Sequence, residues 1–213
     1  FFFIFKKKKK ISNNKCFFKY GWCFGFGYFL FSLYWTAISL TFDQSFKFLI
    51  PIAIILLPAS LALFYGLIIY LFSTFYSKNV ASSFFIFSIL FGTTEFVRGS
   101  ILTGFPWNLI SFSFSDSIYF VQILSIIGTY SFNLICISLF TVPALFVLRN
   151  SRLDVMVCFF FILISSGFLI FGHIKINNFN SLESVKNSYT IKAISPNISL
   201  DRFYSKQDEL KII

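Results

Sequence analysis

Long apolar runs separated by short polar breaks set the pattern of this chain of 213 residues. Five runs, at 21–40, 48–72, 81–97, 118–148 and 155–171, reach the ~17–25 residues that a helix needs to cross a bilayer core. The pattern predicts five membrane-spanning helices, with Pro51 near the start of the second and Pro58 inside it. The run at 118–148 is long for one crossing and predicts a tilted helix, or one that begins in the interface. The connections at 41–47, 73–80 and 150–154 are short. The connection at 99–117 is longer yet stays apolar and aromatic, so it is expected to hug or re-enter the membrane surface. A closed barrel is excluded, because its strands alternate over about ten residues and these runs do not.

After residue 171 the pattern changes. Charges return at Lys175, Glu183, Lys186, Lys192, Asp201 and Arg202. Residues 188–195 (SYTIKAIS) alternate polar and apolar positions, the period of a half-buried strand. Pro196 and Asn197 then form a turn-like stop. The expected organisation is an all-α membrane bundle at 1–174, a linker at 175–187, and the start of a soluble domain at 188–213. At the other end, an apolar stub at 1–5 precedes lysines, the reverse of a signal peptide. It reads as the end of a membrane helix whose beginning is missing. The chain is expected to be a fragment at both termini.

Composition agrees with a bilayer environment. Apolar residues make up 57% and charged residues 12%, with a mean hydropathy of +0.80. An average globular domain carries about 25% charged residues, so a soluble domain of this size could not cover its surface. The net charge of +10 first suggests nucleic acid, but the layout argues against it. Nucleic-acid binders gather basic residues on one folded face; here they mark loops. Lys6 to Lys10, Lys15, Lys19, Lys78, Arg149 and Arg152 fall on one side of the expected bundle, against only Lys47 and Arg98 in the opposite loops. The excess of positive loops on the inner side of membrane proteins puts the lysine-rich start in the cytoplasm. Five crossings then carry the tail outside.

Candidate chemistry centres on Glu95 and Arg98, three residues apart near the outward end of the third span. Ionisable residues at membrane depth are costly. Two readings stand: an intrahelical pair with Arg98 snorkelling to the interface, or a buried pair facing the bundle interior and binding a lipid head group. Directly after it comes Leu102-Thr103-Gly104-Phe105-Pro106-Trp107, where Gly104 and Pro106 break helix geometry. Broken backbone at this depth needs a protein or cavity cover, so the cluster reads as the mouth of a cavity. Other signals are weaker. Gly21 and Gly25 fit close helix packing. His173 has no partner in sequence and is expected as an interfacial side chain. Asn197-Ile198-Ser199 matches a glycosylation triplet that is frequent by chance. Cys16, Cys23, Cys136 and Cys158 form neither a disulfide frame nor a zinc pattern.

These residues resemble one family. Glu95-Phe-Val-Arg98-Gly99 followed by Leu102-Thr-Gly-Phe-Pro-Trp107 is similar to the E-x-x-R-G…TGFPW signature of bacterial apolipoprotein N-acyltransferases. Gly25-Phe-Gly-Tyr-Phe…Tyr34-Trp35, Gly128-Thr-Tyr-Ser-Phe-Asn133 and Ser195-Pro-Asn197-Ile198 resemble further family segments in the right order. The resemblance covers roughly residues 20 to 204. It implies an enzyme of the bacterial inner membrane with a periplasmic α/β nitrilase-like domain, whose first strand would be 188–195. Such enzymes move an acyl chain from a phospholipid donor to the N-terminal amine of a diacylglyceryl-cysteine lipoprotein, through a cysteine thioester and a Glu-Lys-Cys triad. No cofactor or metal is implied. The triad is expected beyond Ile213, so no catalytic residue is assigned. Glu95, Arg98, Phe105, Pro106 and Trp107 are the substrate-binding candidates. The alternatives are a transporter or channel subunit, whose broken helices line a pathway, and an inactive gene relic.

Overall fold

The computed structural model describes residues 1–8, 13–41, 44–101, 104, 106–182 and 192. These residues form seven α-helices: α1 (Phe2–Lys8), α2 (Asn14–Leu33), α3 (Ile50–Thr74), α4 (Val80–Ser100), α5 (Ile118–Val121), α6 (Leu124–Leu148) and α7 (Arg152–Asn180). Tight 3₁₀ turns extend α2 through Tyr34–Thr41, lead into α3 at Gln44–Leu49, and form Ile110–Phe114. Five stretches are long and apolar enough to cross a membrane, those built on α2, α3, α4, α6 and α7. Among the described residues there is no strand. The expected strand at 188–195 lies outside them, apart from Lys192.

Helix starts follow their capping residues. The Asn13 side chain accepts from the Lys15 amide at 3.0 Å and starts α2 seven residues before the apolar run begins. Asn79 accepts from the Ser82 amide at 3.1 Å to start α4. Each cap meets an amide that helix geometry leaves without a partner. The last span runs to Asn180, past the expected end at 171. Apolar length determines where a span must lie, whereas a helix continues into water until its backbone is stopped.

The largest departure is at 118–148. The run reads as one helix, tilted or beginning in the interface; the structure breaks it into α5 and α6, and α6 itself kinks at Gly128 (φ 74°, ψ 170°). That backbone conformation is open to glycine and closed to residues with a Cβ. The connection before it does return into the bundle: Leu109 and Ser111 are buried.

Small residues set the closest helix contacts. Gly21 lies against the Tyr65 carbonyl and Ile69, and Gly25 against Tyr65 and Ala62, so the glycine pair on α2 is a packing face for α3. Gly92 and Gly99 on α4 do the same for Leu134 and Tyr130 on α6. Bilayer helices gain nothing from hydrophobic transfer against lipid tails, so close van der Waals contact of this kind carries their association. At the end of the bundle where α7 begins, buried Asp154 joins two helix starts. One oxygen accepts from the Ala81 amide of α4 at 3.0 Å; the other accepts from Asn150 and Ser151 at 2.8 and 3.0 Å.

Candidate functional site at the end of α4

Glu95 and Arg98 occupy the last turns of α4, on the face turned into the bundle. Their side chains are fully covered, which excludes snorkelling. The guanidinium meets the carboxylate with two donors, Nε to Oε1 at 3.3 Å and Nη2 to Oε2 at 2.5 Å. Its underside faces the Phe29 ring of α2, 5.4 Å from the centroid, where a cation is attracted by the ring quadrupole. The Tyr65 hydroxyl of α3 faces the same carboxylate, at the edge of hydrogen-bonding geometry.

The third partner of Arg98 is the loop. Nη1 donates to the Trp107 carbonyl at 3.1 Å. A turn closed by the Gly104 amide on the Ile101 carbonyl, 2.9 Å, carries the chain away from α4. Gly104 takes φ +73° there, and Asn108 takes φ +59°, a left-handed conformation that asparagine tolerates better than most side chains. The Tyr28 hydroxyl donates to the Asn108 carbonyl at 2.9 Å, and the Ser111 amide donates to Asn133 of α6 at 2.9 Å. Side chains from α2, α4 and α6 therefore bind the irregular backbone, which at membrane depth has no water to do so.

Of the five site residues expected from sequence, the structure brings Glu95, Arg98 and Trp107 together. Pro106 is exposed beside them. Phe105 lies outside the described residues. The Trp107 ring is 53% exposed and tilts against Trp35 from the end of α2, centroids 5.7 Å apart. Sequence reasoning placed Tyr28, Phe29 and Asn133 inside family-like segments without giving them a role; Asn108 and Asp154 it passed over. The spacing Ser151-x-x-Asp154 before an apolar run was a readable capping signal. His173, expected without a partner, pairs with Asn177 at 3.0 Å and lies beside Tyr119.

An apolar cavity of about 480 Å³ lies deeper, walled by Tyr28, Tyr65, Phe91 and Ile110 towards the site and by Phe3 and Tyr20 at the far end. Glu95 and Arg98 do not line it, so it offers hydrocarbon-like surface and nothing for a head group. The four cysteines differ in access: Cys16 is half-buried and Cys23 is exposed. Cys136 and Cys158 are buried, and the Cys158 thiol donates only to the Val142 carbonyl, 3.9 Å away. Among the described residues no cluster of His, Cys, Asp or Glu could hold a metal ion.

The fold and site define a multi-pass membrane protein whose one buried ion pair, among the described residues, fixes a tryptophan-bearing loop at the end of a helix. Residues 1–142 match the family described as "Apolipoprotein N-acyltransferase N-terminal domain", and the chain belongs to that family. It is similar to the apolipoprotein N-acyltransferase of Rhizobium etli, 38% identical over 134 residues, covering 62% of this chain and 25% of that protein. The Allorhizobium ampelinum protein of the same name is 31% identical over 182 residues, covering 84% of this chain and 33% of the relative. The Rickettsia prowazekii protein is 40% identical over 124 residues, with coverage of 58% and 25%. The chain spans roughly a quarter to a third of the length of these curated relatives. No solved structure matches it.

Proposed function

We propose that this chain forms membrane-embedded parts of an apolipoprotein N-acyltransferase of the bacterial inner membrane. The enzyme takes an acyl chain from a phospholipid and places it on the N-terminal amine of a diacylglyceryl-cysteine lipoprotein. The observation that carries the reading is the clamp of Arg98 and Glu95 on the Trp107 carbonyl, which the family relationship accompanies. A buried ion pair contributes little net stability, because desolvation offsets its attraction. Its presence here is accounted for by what it holds.

In this reading Trp107, Pro106 and Phe105 meet the glycerol and upper acyl chains of the donor, while Glu95 and Arg98 keep the loop in register. The chemistry itself, attack of a thiolate on the donor ester followed by transfer to the amine, needs a nucleophile, a base and an oxyanion partner. We assign none of these roles to Cys16, Cys23, Cys136 or Cys158. We place residues 6–19 in the cytoplasm and 175–213 in the periplasm, with 175–187 as the linker into a nitrilase-like domain that starts at 188.

Fusing this chain to the nitrilase-like domain of a relative, and expressing the fusion in a bacterium depleted of its own apolipoprotein N-acyltransferase, tests the proposal. Restored growth, with triacylated lipoproteins detected by mass spectrometry, is the expected result. Growth failure with the protein present in the membrane and lipoproteins left diacylated would contradict it. The orientation is tested separately by a reporter fused after Lys186: phosphatase activity is expected, and activity of a cytoplasmic reporter would reverse the topology.

A further inference from the structure

The lysines at the opposite end of the bundle form more than an orientation signal. Lys7 donates to the Tyr20 hydroxyl at 2.8 Å and lies over the Tyr20 and Phe3 rings, 4.6 and 5.2 Å from their centroids. Lys8 donates to the Asn14 side chain and lies 5.4 Å from the centre of the Phe17 ring. Asn14 in turn donates to Thr74 at the end of α3, 3.3 Å away. Both ammonium groups are thus half-buried and fixed where α1, α2 and α3 meet. A solvated loop lysine has no such framework.

Neither has a carboxylate. Among the described residues the acids are Glu95, Asp116 and Asp154. Glu95 is paired with Arg98 at the other end of the bundle. Asp116 lies just before α5, at that same far end. Asp154 is on the lysine side, but it is buried and occupied by three backbone amides. Lys6, Lys15, Lys19, Lys78, Arg149 and Arg152 add six further cations to this end. Each ammonium makes one hydrogen bond within the protein and keeps donors for another acceptor. An anion that takes up these donors has to come from outside the described residues.

We propose that Lys7 and Lys8 form a binding site for the phosphate of an anionic phospholipid, such as phosphatidylglycerol, in the leaflet on the lysine side. The aromatic rings of Phe3, Phe17 and Tyr20 shape the site at interface depth, and Asn14 orients Lys8. The site is separate from the Arg98–Trp107 clamp and does not depend on the acyltransferase reading. Each lysine near an anionic membrane surface contributes about 1 kcal/mol, a factor of about five in occupancy.

The test reconstitutes the whole protein in phosphatidylcholine vesicles carrying trace spin-labelled phosphatidylglycerol or spin-labelled phosphatidylcholine. The readout is the fraction of label immobilised at the protein surface. Phosphatidylglycerol should be preferred by about fivefold or more, the preference should fall by about fivefold or more in Lys7→Gln/Lys8→Gln, and it should survive in Lys7→Arg/Lys8→Arg. The Arg variant keeps the charges, so it separates loss of binding from loss of fold. Undiminished preference in the Gln variant would overturn the proposal. A second arm adds inorganic phosphate, with chloride at matched ionic strength as the control. Equal effects of the two salts support a lipid ligand. Selective loss of preference with phosphate would assign the site to a soluble anion and overturn the lipid assignment.

Discussion

Two buried carboxylates, at opposite ends of the bundle, solve the same problem differently. Asp154 is satisfied by backbone: amides from the start of α4 and from the turn before α7 surround both oxygens. Helix starts carry unpaired amides and partial positive charge in any case, so this acid removes a cost that the fold already has. Glu95 has no helix start to serve. It is held by Arg98, a second costly group, and the pair reaches on to the loop carbonyl of Trp107. The first acid is a structural rivet. The second is a clamp on a surface loop. The difference teaches that burial of charge alone does not mark a site; the partner that the charge ultimately holds does.

Removal of Arg98 has the largest expected effect. Arg98→Ala leaves Glu95 buried without its cation, which costs about 3–5 kcal/mol. Thermal unfolding followed by circular dichroism should show a large fall in Tm, and acyl transfer by the fusion to a relative's nitrilase-like domain should be lost with it. Asp154→Ala should cost less, about 2–3 kcal/mol, since a cap and several charge-assisted bonds go but no ion is stranded. Acyl transfer per folded molecule should stay near normal, and a specific loss of activity there would erase the distinction between rivet and clamp. The smallest effect belongs to Tyr28→Phe. It deletes one bond to the Asn108 carbonyl, worth about 1 kcal/mol, and should weaken donor binding severalfold with little change in Tm. A raised KM for phospholipid at near-normal kcat is the signature to look for.

The spans, the Glu95–Arg98 pair and the break after it were all legible, because each leaves a local mark: apolar length, a three-residue spacing, a glycine and a proline. Gly21 and Gly25 were legible as a packing face for the same reason. What sequence could not supply was the partner across space. Asp154 and Ala81 are 73 residues apart, Tyr28 and Asn108 are 80 apart, and no local pattern couples them. The break at Gly128 escaped notice because a lone glycine in an apolar run more often marks close packing, and only its backbone angle reveals a kink. Phe105 was named from the motif alone, and its placement is not described.

In the proposed function the ion pair serves the loop and not the bundle. Glu95→Leu/Arg98→Met removes both charges together and fills their space with apolar side chains, an exchange that is commonly neutral or stabilising for a buried pair. Measured on one purified preparation, this variant should keep a Tm close to the parent protein's. In a fusion to a relative's nitrilase-like domain, its rate of acyl transfer from phospholipid should fall by about ten- to a hundredfold, the equivalent of a charge-assisted hydrogen bond lost from the loop. A normal transfer rate with intact stability would contradict the account.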